Sequence, residues 1–386
     1  MEDQIQRIPT PLYHYDRPLL SFRPGAWQEH PGPTPSVSSS ASASKRDKET
    51  GSGVNTPLRV LTWNIWFDTR YKAERTHAFI RAVRAADPDV CCLQETTTAF
   101  EAILRADAYW RATWVMTALA DQTDFTKSHY GTMICVKKSL MKGGRGKGRG
   151  FSAQSYIVAF PGTQTGRCLT VLELSPGSKL PNTPPILIGT VHLDYTPQLR
   201  ASHIAIAIRA LSMSSAGGPV AASILCGDTN FTDYSETAPL VQAGFVDAWV
   251  VGRYGPNLNA PNVSKASVIT DTGAPATAPG SARNANATLS VGDTHPDGTA
   301  VDWLLVDPTF GETGVRKRGE GSRESEVVRR LDLIMCRGLR IDACKLAGED
   351  PIPQKALRAS GVKEGDDIVV WPSDHKGVCV DVKVVG

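Results

Sequence analysis

LRVLTWNIW, residues 58–66, decides the fold. Its first seven residues read as a β-strand, and that strand closes on a polar residue, Asn64. KAERTHAFIRAVRAA (72–86) follows and places Phe79, Ile80, Val83 and Ala86 on one helical face, with Asp87-Pro88 as its stop. DVCCLQE (89–95) is a second buried strand, closing on Glu95. TMICVKK, QSYIVAF, CLTVLEL, PILIGTVHL, SILCGD, RLDLIM and HKGVCVDVKVV continue the strand series. A helix over 198–211 aligns Ile204, Ile208 and Leu211. Many strands with a few interspersed helices predict an α/β sandwich of two sheets, not a strict βαβ alternation.

Outward from these strands the chain is less regular. Residues 1–57 form an N-terminal extension and a flexible Ser/Pro-rich linker. Within 1–30 the aromatics Tyr13, Tyr15, Phe22 and Trp27 either dock back on the domain or belong to an unstructured tail. Residues 31–57 cannot bury enough apolar surface to offset their ordering entropy. One domain spans 58–386, with loop insertions at 142–150 (basic, Gly-rich) and 255–300 (rich in Ala, Pro, Thr, Asn and Gly).

A net charge of +3 over 386 residues gives no argument for nucleic acid by itself. The eight cysteines are scattered, most inside apolar strand-like runs, and none forms a Cys-x2-Cys pair. That pattern argues against a zinc site and fits buried free thiols in a reducing compartment better than a disulfide framework. The N-terminus lacks the basic start and apolar core of a signal peptide. No apolar run approaches the roughly 20 residues that span a bilayer. The expectation is a soluble, intracellular monomer with no membrane partner, in the nucleus, the cytoplasm or both.

Four polar clusters sit at strand ends. Thr62-Trp63-Asn64 closes the first strand, Leu93-Gln94-Glu95 the second, and Gly227-Asp228-Thr229-Asn230 closes SILCGD; Ser373-Asp374-His375 opens the last strand. Strand ends on one edge of a sandwich converge, and Asn, Glu, Asp and His are donors for a hard cation and a water nucleophile. Singly, each cluster reads equally as a turn or a cap. Their order along the chain carries the information.

TWN…LQE…HL…GDTN…R-x-D…SDH resembles the ordered motif set of the endonuclease/exonuclease/phosphatase superfamily, over residues 58–386 apart from the loops. That resemblance implies a four-layer α/β sandwich with two central mixed β-sheets (DNase I-like) and a Mg²⁺-dependent phosphodiesterase, with Mn²⁺ as a possible substitute. It implies roles residue by residue. Glu95 is the principal metal ligand, Asn64 supports metal and phosphate, and Asp374 is a second acid near the metal. Asp228 positions or deprotonates the attacking water, and Asn230 orients that Asp and the phosphate. His375 stabilises the transition state and is fixed by Asp332. His192 is either a phosphate-side histidine or a satisfied core residue.

Within the superfamily, LRVLTWNI, YGTMICVKKS, GDTNFTD with GFVDAW, and WPSDHKGV resemble the tyrosyl-DNA phosphodiesterase 2 branch. That implies a nucleic-acid substrate, a single-stranded 5′ DNA end carrying a tyrosyl adduct, and a role in DNA repair. Trp63, Tyr130, Arg200 and Phe310 are the candidate substrate-binding residues. Tyr130 reads equally as a packing residue, and Arg200 equally as an ordinary salt-bridge partner. Phe310, in Pro308-Thr309-Phe310-Gly311, departs from the branch pattern but still offers an aromatic wall. The competing readings are a deadenylase, an abasic endonuclease, an inositol or sphingolipid phosphodiesterase, or a non-catalytic binding module.

Overall fold

The structure is a computed structural model that describes residues 5–10, 12–15, 27–29, 57–117, 119, 130–141, 150–163, 165–176, 183–254, 315–317, 330–359, 361–363, 366 and 368–384. Residues 30–56, 142–149 and 255–300 lie outside the described residues, and so does Phe310.

Two sheets stack face to face. One has eight strands in the spatial order Leu339–Ala347, Gly377–Val384, Leu58–Asn64, Val90–Thr96, Gly131–Lys137, Trp114–Thr117, Leu12–Tyr15 and Trp27–Glu29. The other has seven: Arg7–Thr10, Phe151–Ala159, Cys168–Pro176, Ile186–His192, Ala222–Asp228, Asp332–Arg337 and Val246–Asp247. Both are mixed, with one parallel pair each: Leu58–Asn64 beside Val90–Thr96, and Ile186–His192 beside Ala222–Asp228.

Alternation along each strand divides its side chains between two cores. Val60, Val90, Cys92, Ile188, Ile224, Cys226 and Ile334 fill the space between the sheets. Leu61, Trp63, Cys91 and Leu93 point the other way and meet Phe79, Ile80 and Val83 of the Lys72–Ala86 helix, with Phe100 and Leu104 of the Thr98–Ala106 helix. On the seven-stranded sheet, Leu187, Val191 and Leu225 meet Ile204 and Ala207 of the Pro197–Ala210 helix. The result is the four-layer α/β sandwich expected from the sequence.

The N-terminal residues do dock, by backbone pairing. Arg7–Thr10 adds to Phe151–Ala159, and Leu12–Tyr15 adds to Trp114–Thr117 of the other sheet. Arg7 also donates to the carbonyls of Ser214 (2.6 Å) and Ala210 (3.0 Å). These residues therefore belong to the sandwich, ahead of the boundary drawn at 57.

The inter-sheet core changes polarity along its length. Past Val60, Cys92 and Ile188 it becomes hydroxyl- and amide-lined. Gln94 Nε2 donates to Thr62 Oγ1 (3.0 Å) on its own sheet and to Thr190 Oγ1 (2.8 Å) on the facing sheet. Thr132 and Thr170 hydroxyls meet across the gap at 2.7 Å. One step further along the same strands lie Asn64, His192, Asp228 and Asp332, with His192 opposite Asp228 and Asp228 opposite Asp332 in register. Strand period alone brings these residues to one edge.

Candidate active site

Six segments supply the site, and two use distorted backbone to do it. Along Val90–Thr96, simple alternation would send Glu95 toward the helices. A register shift between Leu93 and Thr96 breaks the alternation, and Glu95 adopts φ +55°. A bulge of this kind re-aims a side chain, and here it turns Glu95 into the inter-sheet edge. Asn230 is likewise at φ +51°, a conformation Asn tolerates better than most residues. Gly227, at φ +133°, lies so close to Val191 O that a Cβ would stand 2.0 Å from it. Only glycine lets the strand ending in Asp228 approach its neighbour this closely.

At the centre sits Asp228. Its Oδ2 accepts from Asn64 Nδ2 (2.9 Å) and faces His192 Nε2 at 3.5 Å and His375 Nε2 at 3.8 Å. Its Oδ1 accepts from the backbone N–H of Asn230 (3.0 Å), while Asn230 Nδ2 donates to Leu193 O (2.9 Å). Burial pushes Asp228 up to about 6; His375 pulls it down, and Asp332 and Glu95 push it further up. Glu95 Oε1 accepts from Asn64 Nδ2 (3.1 Å), and its Oε2 accepts from the Phe67 N–H (2.9 Å).

Asn64 thus bridges the two carboxylates as a donor. Its Oδ1 is occupied by the Trp66 N–H at 3.0 Å, so the amide NH2 must face Glu95 and Asp228. The sequence placed Asn64 among the metal ligands; the structure makes it the residue that orients them.

The two histidines differ. His375 Nδ1 donates to Asp332 Oδ2 at 2.7 Å. Burial opposes its charge, yet Asp332 and the neighbouring carboxylates Asp374 and Asp228 raise it to about 10. His192 Nδ1 instead meets Arg167 Nη1 at 2.6 Å. Arginine only donates, so Nδ1 is the acceptor and the ring proton sits on Nε2. Burial, followed by the charges of Arg167 and His375, holds His192 well below its ordinary range.

Donor atoms of Glu95, His192 and Asp228 lie within 4.8 Å of one another. The two buried carboxylates, with Asp228 forced upward, form a site that a cation relieves. His192 offers no lone pair there, because its Nε2 carries the proton. The effective donors are carboxylate oxygens, which suit a hard divalent cation such as Mg²⁺ or Mn²⁺. Asp374 stands outside the three-residue group; burial lifts it to about 6, and Ser373 Oγ lies 3.3 Å from its Oδ1.

Among the candidate substrate residues, Tyr130 is at the mouth. Its ring stacks on Phe67 at 4.9 Å and lies 6.0 Å from the His192 ring. Arg200 and Trp63 are not there. Arg200 is buried and pairs with Glu236 through Nε (2.7 Å) and Nη2 (2.8 Å), so the salt-bridge reading is the correct one. Trp63 alternates away from the site into the helix-side core and packs on Phe79 at 5.2 Å. It reaches the site only through Nε1, which donates to His375 O (2.9 Å).

Sequence reading missed Arg167, Arg75 and Arg330. Arg75 projects from the Lys72–Ala86 helix and donates to the carbonyls of Ile65, Trp66, Asp68, Arg70 and Pro372. It thereby ties the loop that presents the Trp66 and Phe67 N–H groups to the loop that carries His375. Arg330 forms a fully buried pair with Asp247 (2.8 Å) two residues before Asp332. Ser373 Oγ donates to Asn64 O (2.6 Å) and anchors the His375 loop to the first strand. Of these, Arg330 and Ser373 lay in motifs, while Arg167 and Arg75 did not.

Residues 61–375 match the sequence profile of the Endonuclease/Exonuclease/phosphatase family. A comparison with curated proteins returns no match. Among solved structures, the chain is similar to TDP2 of D. rerio complexed with single strand DNA product, at 18% identity and TM-score 0.52, covering 86% of this chain and 100% of that one. A humanized D. rerio TDP2 carrying 14 mutations gives 17% identity and TM-score 0.52, over 85% of this chain and 99% of that one. TDP2 from C. elegans gives 17% and 0.53, over 86% of this chain and 78% of that one. At such identities the likeness establishes the fold.

Proposed function

Because the chain belongs to the endonuclease/exonuclease/phosphatase family, whose members are typically metal-dependent phosphodiesterases, we propose that it hydrolyses the 5′-phosphotyrosyl bond of a single-stranded DNA end in DNA repair. The observation that carries the reading is Asp228 Oδ2 between two imidazoles, 3.5 and 3.8 Å away, beside Glu95. Glu95 and Asp228 would hold a divalent cation, which supplies charge neutralisation at the phosphate and leaving oxygens.

The chain's own groups do the rest. Asp228 accepts a proton from the attacking water. Asn230 and Asn64 fix its two oxygens. His375, kept charged by Asp332, donates to a non-bridging phosphate oxygen, and His192 donates from Nε2–H on the other side. A tyrosine leaving group, with an ordinary pKa of about 10, needs less protonation than a sugar alkoxide. Phe67 and Tyr195, 48% and 63% exposed beside Tyr130, offer faces on which a base or tyrosine ring stacks. The complex of the D. rerio TDP2 with single strand DNA product favours a single-stranded substrate. All eight cysteines are free thiols, which suits a reducing intracellular compartment, nucleus or cytoplasm.

The test is a panel of 5′-tyrosyl oligonucleotide, abasic duplex, poly(A) and inositol phosphates, each with Mg²⁺, with Mn²⁺ and with chelator. Cleavage of the tyrosyl substrate, abolished by chelator, is expected. An intact tyrosyl substrate beside cleavage of another overturns the substrate choice; no cleavage of any overturns the reading as a phosphodiesterase.

A further inference from the structure

Arg167 is 5% exposed, yet among the described residues its guanidinium has no carboxylate partner. Its Nη1 meets His192 Nδ1, its backbone N–H donates to Thr163 Oγ1 (3.1 Å), and its Nε and Nη2 are buried with no hydrogen-bond partner among the described residues. The rings of Tyr130 and Tyr195 lie 5.3 and 5.8 Å from its charge centre, within cation–π range. A buried cation held this way is costly, and residues that break the stability rules in this manner concentrate where they serve function.

We infer that Arg167 is a positioning residue that selects the metal: by donating to His192 Nδ1 it fixes the proton on Nε2, denying the site a nitrogen ligand and leaving an oxygen-only pair for a hard cation. The geometry supports each step. Without Arg167, His192 is free to place its proton on Nδ1, and the Nε2 lone pair would then face Glu95 Oε1 (4.0 Å) and Asp228 Oδ2 (3.5 Å). Adding an imidazole nitrogen to the two carboxylates shifts the donor set toward zinc, which takes nitrogen ligands more readily than Mg²⁺ does. A second-shell donor behind the ring decides which nitrogen is available, as it does in metal sites generally. In this chain the donor is a guanidinium, which cannot reverse its role.

This inference deepens the proposed site but is tested without substrate, so its failure is separable from failure of the proposed reaction. The first measurement is the His192 tautomer in the metal-free wild-type chain, by long-range ¹H–¹⁵N NMR with ¹⁵N-histidine labelling. The Nε2–H form is expected, and the Nδ1–H form overturns the inference. The second is calorimetric titration of the metal-free chain with Zn²⁺ in wild type, R167K, R167M and R167M/H192A. R167M should bind Zn²⁺ at least about tenfold more tightly than wild type, a change of about 1.4 kcal/mol. R167K, which still donates, should stay near wild type, and R167M/H192A should lose the gain. Equal Zn²⁺ affinity in wild type and R167M, or a gain that survives removal of His192, overturns the inference. Should R167M fail to fold, R167K and the wild-type tautomer still decide it.

Discussion

Two buried histidines face the same oxygen of Asp228, and what stands behind each ring separates them. His375 has a carboxylate at its back and is held charged; His192 has a guanidinium and is held neutral. Distance to Asp228 is nearly the same for both, so proximity to the reacting carboxylate does not set their state. The partner on the far nitrogen does. A carboxylate rewards a second proton on the ring, whereas a guanidinium repels it and takes up the only lone pair.

The strongest way to break this comparison is to remove the oxygen both rings share. Asp228→Asn keeps the shape but abolishes the base, and kcat is expected to fall by on the order of 10²–10⁴. Glu95→Gln, measured in parallel, should fall in the same range and should also need far more Mg²⁺ to reach its own maximum. Chelator should bring the wild type to the level of both. An Asp228→Asn enzyme with near-wild-type turnover would remove Asp228 from the chemistry.

Next in size is the carboxylate behind His375. Asp332→Asn leaves a hydrogen-bond partner but withdraws the charge that sustains the imidazolium. The loss should appear in kcat, by on the order of 10²–10³, with KM little changed, since Asp332 is fully buried and acts through His375. A KM effect with intact kcat would assign Asp332 to binding instead.

The comparison also fixes the sign of a pH effect on stability. His375 is raised in the folded chain to about 10, against an unfolded value of about 6.5. Its contribution is therefore fully present below about 6.5 and is lost as pH rises through about 10. His192 is shifted the opposite way, so its contribution is present above about 6.5 and is lost as pH falls. Urea unfolding of the metal-free chain should show stability falling on the alkaline side, and Asp332→Asn should flatten that limb. An unchanged alkaline limb in Asp332→Asn would show that the pair does not hold the proton.

The same contrast explains what the sequence disclosed and what it hid. The sandwich was legible because strands such as Leu58–Asn64 and Val90–Thr96 are long and apolar, and such runs read as buried strands without knowledge of the third dimension. The edge strand Leu339–Ala347 was not, because it is largely solvent-facing and its pattern mixes exposed and half-buried residues. At the site, Asp332, Asp228 and His375 sat in ordered motifs. Arg167 lies just before a strand in TGRCLTV, where one arginine looks like any surface cation, and only burial and the His192 contact set it apart. Arg75 was concealed in the same way on an amphipathic helix. Glu95 was readable as a residue, but the bulge that aims it was not, since nothing local announces a register shift.

Trp63 offers the smallest and sharpest test, because the sequence and the structure give it different jobs. Read as a substrate-binding residue, its loss should raise KM and leave stability alone. In the structure its indole fills a slot in the helix-side core. Added Cβ atoms at Gly348 and Gly377 would stand 2.1 and 2.9 Å from its ring. Its one polar reach is Nε1 to His375 O, beneath the loop that carries the charged histidine. Trp63→Phe keeps an aromatic in the slot and deletes that bond, so the cost should be about 0.5–1.5 kcal/mol of stability. It loosens only the loop of the Asp332-backed histidine and leaves the Arg167-backed one untouched, so kcat should drop by less than about tenfold and the His192 tautomer should not move. A raised KM at unchanged unfolding free energy would return Trp63 to the substrate surface and show that the His375 loop does not depend on support from the helix-side core.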